Sequence, residues 1–175
     1  EVTDTSYVVT SISEDERRYY QVKVTDIFNL ETSSSVLTGS SYPKIVFKSY
    51  RDGNNEIYIM DADGRNQTNI TNFPWADEVL PTWSPDGTRL AFESNRDGNG
   101  GKHEIYMMNV DGSIQVNISN AASSSDAYPA WSPDGSKIAF NRYGVRYWRK
   151  GYRGNRNTDV WVQDLASKEI TQLTD

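Results

Sequence analysis

The 175-residue chain has no cysteine, a single histidine and no apolar run approaching a membrane-crossing length, which for a helix is roughly 20 residues. These absences exclude a disulfide scaffold, a thiolate metal site, a multi-histidine metal site and helical membrane insertion. Acidic residues outnumber basic ones, 24 to 18, for a net charge of -6. A net-acidic surface disfavours nonspecific nucleic-acid binding, which rests on neutralising phosphates. The imbalance is uneven: Arg142 to Arg156 holds six cations and no acid, leaving 12 cations against 24 anions elsewhere. Apolar content of 36% suffices for one or two small cores. The chain opens Glu1-Val2-Thr3 without a signal pattern and is expected to be an internal piece. Its many Ser, Thr, Asn, Tyr and Gly residues fit an exported setting.

What is abundant is repetition. Trp83-Ser84-Pro85-Asp86-Gly87 recurs 48 residues later as Trp131-Ser132-Pro133-Asp134-Gly135. Nine residues after each Trp stands a Phe, in Leu90-Ala91-Phe92 and Ile138-Ala139-Phe140, and Ile45-Val46-Phe47 matches upstream. A third motif follows three times, in Glu56 to Asp61, Glu104 to Asn109 and Asp159 to Asp164. From Ile57, Ile105 and Val160 it is 13 residues to Ile70, Ile118 and Leu173, whereas the interval from Phe to the third motif is 10, 13 and 20. Only a surface loop tolerates such variation.

The conserved-spacing segments are short and rich in β-branched and aromatic residues, which predicts strands. Pro85-Asp86-Gly87 and Pro133-Asp134-Gly135 predict a turn between a first and a second strand. Asp63-Gly64 and Asp111-Gly112 predict a hairpin between a third and a fourth. The third strand is apolar on both faces, with Ile105 and Met107 opposite Tyr106 and Met108, so it needs cover on both sides. Four-stranded antiparallel units that bury both faces against their neighbours are the blades of a β-propeller.

These motifs resemble the TolB-type, WD40-like propeller repeat: Trp83 to Gly87, Leu90 to Phe92, Ser94 to Asn99 and Ile105 to Met108, with counterparts at Ser49 to Asn54, Ile57 to Asp61 and Trp131 to Phe140. In the third copy Asn141-Arg142-Tyr143-Gly144 replaces the Arg-Asp-Gly turn. The expected fold is all-β, with about three four-stranded antiparallel blades (44–72, 79–120 and 127–175) forming a partial propeller. Nine residues before Phe47 stands Thr38 rather than Trp, so the first copy lacks its opening strand. Three blades fall short of the usual four or so. An open arc would expose two apolar blade faces, so either the chain continues elsewhere or copies associate to complete a ring.

Residues 1–36 resemble the last strands of a fibronectin type III domain, a β-sandwich-like fragment, through Tyr19 to Val24, Asp26, Asn29 and Glu31 to Ser35. The alternative is a hairpin that caps or closes the propeller. Ser33-Ser34-Ser35 and residues 37–43 read as linker.

Catalytic chemistry has little to stand on. His103 reads as a solvated loop residue, no Gly-x-Ser-x-Gly occurs, and no metal or other cofactor is expected. Asp61-x-Asp63-Gly64 begins like a calcium loop, but Arg65 and Asn72 occupy ligand positions, so it reads as a hairpin. Glu78 and Asp126, each five residues before its Trp, are candidates to ring a channel mouth and attract a cation or basic peptide, or else to cap strand ends. Arg51 and Arg96 are expected to lace their loops to Glu56 and Glu104. The basic aromatic loop is the sharpest binding candidate: Arg142, Tyr143, Tyr147, Trp148, Arg149, Lys150, Tyr152 and Arg153 combine stacking surfaces with forked donors for carboxylate, sulfate or phosphate. The competing reading is that these cations pair with the acidic remainder. The sequons at Asn66, Asn69 and Asn117 read as chance strand composition.

The first functional expectation is a non-enzymatic binding or assembly module, contacting a protein or an acidic glycan. The resemblance implies a periplasmic or cell-surface setting and contacts through the propeller faces. The alternatives are an accessory propeller of a carbohydrate-active enzyme or peptidase, and a subunit of a surface lattice or filament.

Overall fold

A computed structural model describes the backbone of residues 6–14, 17–25 and 31–35, and backbone with side chains for residues 44–98, 100–143 and 158–174. Every regular element among them is a strand. Three antiparallel sheets of three or four strands follow one another as a partial propeller. The first comprises β4 (Lys44–Ser49), β5 (Glu56–Asp61) and β6 (Thr68–Asn69). The second comprises β7 (Glu78–Trp83), β8 (Arg89–Ser94), β9 (Glu104–Asn109) and β10 (Val116–Asn117). The third comprises β11 (Ser125–Trp131), β12 (Lys137–Tyr143), β13 (Thr158–Asp164) and β14 (Ile170–Gln172).

The turns form as their residues dictate. Ser84 Oγ donates to Asp86 Oδ1 at 2.6 Å and accepts from the Arg89 amide at 2.9 Å, while Gly87, at φ 70°, donates its amide to the Ser84 carbonyl at 2.9 Å. Ser132, Asp134, Gly135 and Lys137 repeat this arrangement. A positive φ at the last turn position is what glycine supplies without a Cβ clash.

The core lies between sheets. Val46, Ile57 and Ile70 pack against Trp83, Leu90, Phe92, Tyr106 and Met108. One repeat on, Ala91, Ile105 and Ile118 pack against Ile138 and Phe140. Phe92 and Phe140 are fully buried, and such burial contributes about 1.5–3 kcal/mol per side chain.

Each inner strand carries a bulge that the sequence did not signal. The register of β7 on β8 shifts between Val79 and Thr82, and that of β11 on β12 between Ala127 and Ala130. Leu80 and Tyr128 sit there at φ 52° and 58°, each before a proline, and both are exposed. The bulge gives each inner strand an extra twist and turns a large side chain away from the core.

Ahead of the propeller, β1 (Ser6–Glu14), β2 (Arg17–Thr25) and β3 (Glu31–Ser35) form an antiparallel meander. Ser33, Ser34 and Ser35 are therefore not linker: they pair with Lys23, Val22 and Gln21. β3 runs beside β4 and β7. Residues 37–43, the rest of the expected linker, lie outside the described residues.

Among the described residues, one of the two expected open faces is seen. On the face of the first sheet turned away from the second, Ile45, Phe47, Tyr58 and Met60 are buried. The far face of the third sheet is open: Ala139, Val160 and Val162 are partly exposed and Leu173 is 62% exposed, whereas Ala91, Ile105 and Ile118 at the same repeat positions are covered.

Gly64 and Gly112 separate hairpin strain from packing. Both have φ 84°, but only at Gly112 would a Cβ collide with a neighbouring sheet, at the Ile70 carbonyl. Gly64→Ala should cost about 1–2 kcal/mol from the left-handed backbone alone. Gly112→Ala should cost a further 1–3 kcal/mol or so from overpacking, read as the difference in chemical denaturation midpoints. Equal costs would mean that the sheets do not pack as described.

Candidate functional site

The second and third sheets each bury a carboxylate at the start of the inner strand. Glu78 is fully buried: Arg96 Nη2 lies 2.8 Å from Oε2, Arg96 Nε donates to Oε1 at 3.3 Å, and Ser94 Oγ donates to Oε1 at 3.0 Å. The guanidinium lies over Tyr106 and Phe92, 4.5 and 5.5 Å from the ring centroids, and over Phe73 at 4.6 Å. Burial pushes the Glu78 carboxyl above its ordinary pKa, and the bonds from Arg96 pull it back only in part.

The third sheet builds the same clamp from different positions. Asp126 is fully buried and takes two bonds from Arg142, Nε to Oδ1 at 2.8 Å and Nη2 to Oδ2 at 2.7 Å. Arg142 lies over Phe140 and Trp161 at 5.3 and 4.9 Å. It occupies the repeat position of Ser94, two residues before that of Arg96, and its partner is shorter by one methylene. Arg142 lies on β12 whereas Arg96 lies in the turn after β8, so the two sheets reach the same kind of ion pair from different backbone positions.

The first sheet has the arginine without the acid. Arg51 lies over Tyr58 and Phe47 at 4.3 and 5.6 Å and donates Nε to Ser49 Oγ at 2.9 Å. No ion pair of Arg51 occurs among the described residues.

The expected bonds from Arg51 and Arg96 to Glu56 and Glu104 do not form. Glu56 instead accepts from the Thr71 hydroxyl, from the Phe73 amide at 2.8 Å and from Asn54 Nδ2 at 2.9 Å. Glu104 accepts from Ser119 Oγ at 2.8 Å and from the Ala121 amide at 2.9 Å. Each glutamate thus fastens the connection leaving its fourth strand, because Thr71 and Ser119 follow that strand by the same spacing. The Arg-Asp-Gly turns act similarly: Asp97 accepts from Tyr106 Oη at 2.7 Å and Asn117 Nδ2 at 2.6 Å, and Asp52 from Tyr58 Oη and, at 2.9 Å, from Asn69 Nδ2. Burial and the Asp52 bond raise the Tyr58 phenol to about 12. Asn69 and Asn117 of the sequons are engaged in these ties.

His103 is no loose loop residue. Its Nδ1 lies 3.2 Å from Glu93 Oε2, and its carbonyl accepts from the Asp126 amide at 2.7 Å. Buried Glu93 also accepts from the Tyr128 amide, within the β11 bulge, at 2.7 Å. His103 and Glu93 together hold the second sheet to the inner strand of the third.

Glu78 and Asp126, the two acids expected at a channel mouth, are thus buried, each paired with its own arginine. Arg142 of the basic loop donates to Asp126 and, at 3.1 Å, to the Ser119 carbonyl. Tyr143 ends β12, half-buried. Tyr147, Trp148, Arg149, Lys150, Tyr152 and Arg153 lie outside the described residues. Asp61 to Gly64 forms the hairpin, with the Gly64 amide donating to the Asp61 carbonyl at 2.9 Å.

Successive antiparallel sheets with their cores packed against one another, the second and third opening on a tryptophan-ended inner strand, define a β-propeller. The family model of the TolB beta propeller domain matches residues 39–175, and the chain belongs to that family. A protein TolB homolog of Chlorobaculum tepidum is 39% identical over 67 residues, which are 38% of this chain and 14% of that protein. A putative TolB from Agrobacterium tumefaciens superposes with a TM-score of 0.65 at 21% identity, covering 88% of this chain and 60% of that one. A puromycin-hydrolyzing peptidase of Mycobacterium tuberculosis superposes with a TM-score of 0.55 at 14% identity, covering 96% of this chain and 30% of that one. The two structural likenesses show the shared fold.

The contact with Glu93 raises the His103 pKa, burial opposes it, and Asp77 and Glu78 add to the rise. A raised histidine stabilises the fold fully below the unfolded value of about 6.5, and that stability is lost as pH rises through the folded value. The melting temperature should therefore fall as pH rises above about 6.5, and His103→Gln should flatten this slope. An unchanged slope would show that the pair contributes nothing.

Proposed function

We propose that the chain is a non-catalytic binding or assembly module of an exported, multidomain protein, in a periplasmic or cell-surface setting. The observation that carries this reading is how the framework charge is used. Glu78, Asp126, Glu56, Glu104 and Glu93 are all buried and bonded within or between sheets. Meanwhile the variable connection between second and third strands lengthens from copy to copy and concentrates cations and aromatics in the third. A framework that consumes its own acids and varies one loop is suited to presenting that loop. Acidic glycan or an acidic protein surface is the ligand class that the loop chemistry fits.

The open far face of the third sheet supports contact with a further blade or another copy, since a contiguous apolar face favours association. The leading meander, with β3 beside β4 and β7, supports the reading in which it closes the propeller over that of a fibronectin-like spacer. A second functional reading, an accessory propeller of an enzyme, is favoured by the likeness to the peptidase.

Trp148→Ala combined with Arg149→Ala should weaken binding to an acidic-glycan and peptide array at least tenfold without lowering the melting temperature. Undiminished binding would remove the loop from the proposal.

A further inference from the structure

The connections that carry the chain from one sheet to the next are alike in backbone and unlike in side chains. Leaving the first sheet, the Phe73 amide donates to Glu56, the Ala76 amide to the Phe73 carbonyl at 3.2 Å, and the Glu78 amide to the Asn55 carbonyl at 2.7 Å. Leaving the second, the Ala121 amide donates to Glu104, the Ser124 amide to the Ala121 carbonyl at 2.9 Å, and the Asp126 amide to the His103 carbonyl at 2.7 Å. On this common frame stand Asn55, Trp75 and Asp77 at the first connection, and His103, Ser123 and Ser125 at the same positions of the second. The frame therefore forms without an indole, an amide or a carboxylate at those places.

Trp75 is 90% exposed, more than any other large apolar side chain among the described residues. Its backbone is held on both sides: Asn54 Nδ2 donates to the Phe73 carbonyl at 3.1 Å and to the Ala76 carbonyl at 2.6 Å, and Pro74 restricts the residue before it. An indole on so fixed a support offers a flat face at little ordering cost. Two residues on, Asp77 uses only Oδ1, which accepts from the Asn55 amide at 2.9 Å and from Asn55 Nδ2 at 2.8 Å. Among the described residues nothing donates to Asp77 Oδ2 or to Asn55 Oδ1, and both residues are partly exposed.

We propose that the Trp75 connection is a glycan-binding site, which stacks the C–H face of a neutral pyranose on the indole while sugar hydroxyls donate to Asp77 and Asn55. The electron-rich face of an aromatic ring attracts polarised C–H groups. Groups left with only acceptor atoms select hydroxyls, and the Asp77 charge repels the carboxylate or sulfate of an acidic glycan. A protein hot spot would set the ring in a wider apolar patch, whereas Trp75 is bordered in the chain by exposed Asn72 and Pro74 and by buried Ala76. The site rests on the binding-module reading and gives it a second ligand class at a surface separate from the basic loop.

The test is a glycan array carrying neutral β-linked glucose, mannose, galactose and N-acetylglucosamine chains, with polygalacturonate and a peptide library printed alongside, probed with the whole fluorescently labelled chain. Saturable binding to a neutral glycan is expected. Trp75→Ser should weaken it about tenfold or more, and Trp75→Tyr should retain part of it. Because Trp75 is exposed, both variants should keep the parent melting temperature. The Trp148→Ala, Arg149→Ala chain should bind the neutral glycan normally, so failure at one surface is distinguishable from failure at the other. Absence of binding to every neutral chain, or neutral binding unchanged by Trp75→Ser, overturns the proposal. Trp75-dependent binding confined to polygalacturonate or to peptides also overturns it.

Discussion

An acid carried inside on the inner strand, gripped by an arginine that lies across two aromatic rings of its own sheet, is the constraint on which each complete sheet depends. The inner strand needs such a grip because its ladder is interrupted: the bulges at Leu80 and Tyr128 break the register midway. Tryptophan fixes one end of the strand and the ion pair fixes the other. Taking two charges out of water costs several kcal/mol per ion. The geometry offsets that cost with hydrogen bonds between the groups, two at Asp126 and one beside a 2.8 Å ion-pair contact at Glu78, and with aromatic faces that accept a cation. A merely hydrophobic contact would secure the strand without fixing its register.

The same groups also join sheet to sheet. Arg96 donates Nη1 to Gln115 at 2.7 Å, and Gln115 Nε2 donates to the Thr71 carbonyl of the first sheet at 3.1 Å. Arg89 lies 5.0 Å over the ring of Trp131, whose Nε1 reaches back to Thr82. Side chains of the repeat thus serve two sheets at once, which makes stability a sum over neighbours rather than over isolated units. Gly112 belongs to this set, since only a glycine lets its hairpin meet the Ile70 carbonyl. The described framework spends its polar chemistry internally, which is why we place recognition in loops.

Much of this was legible in the residues. Trp-Ser-Pro-Asp-Gly encodes its own turn through local bonds, and the doubly apolar third strand demands two neighbours, so the strand boundaries of β5 and β9 follow from pattern alone. The clamp was not legible, because Glu78 and Arg96 are 18 residues apart, and in the third copy the arginine shifts by two positions. Nothing in Glu78 or Asp126 separates an acid facing a channel from one facing an arginine until the bulge has set the direction of the strand. The bulge itself escapes notice because Leu80 and Tyr128 are poor residues for a positive φ. Ser33 to Ser35 read as linker because serine carries no strand signal; pairing with β2 supplies the order that composition lacks.

The most direct measurement is a double-mutant cycle on Glu78 and Arg96, using Glu78→Gln, Arg96→Met and the combined variant in chemical denaturation. Each single change strands a buried partner, and the pair together removes both charges, so a coupling energy of about 2 kcal/mol or more is predicted. Additive costs, with coupling near zero, would contradict the claim that this ion pair holds the inner strand.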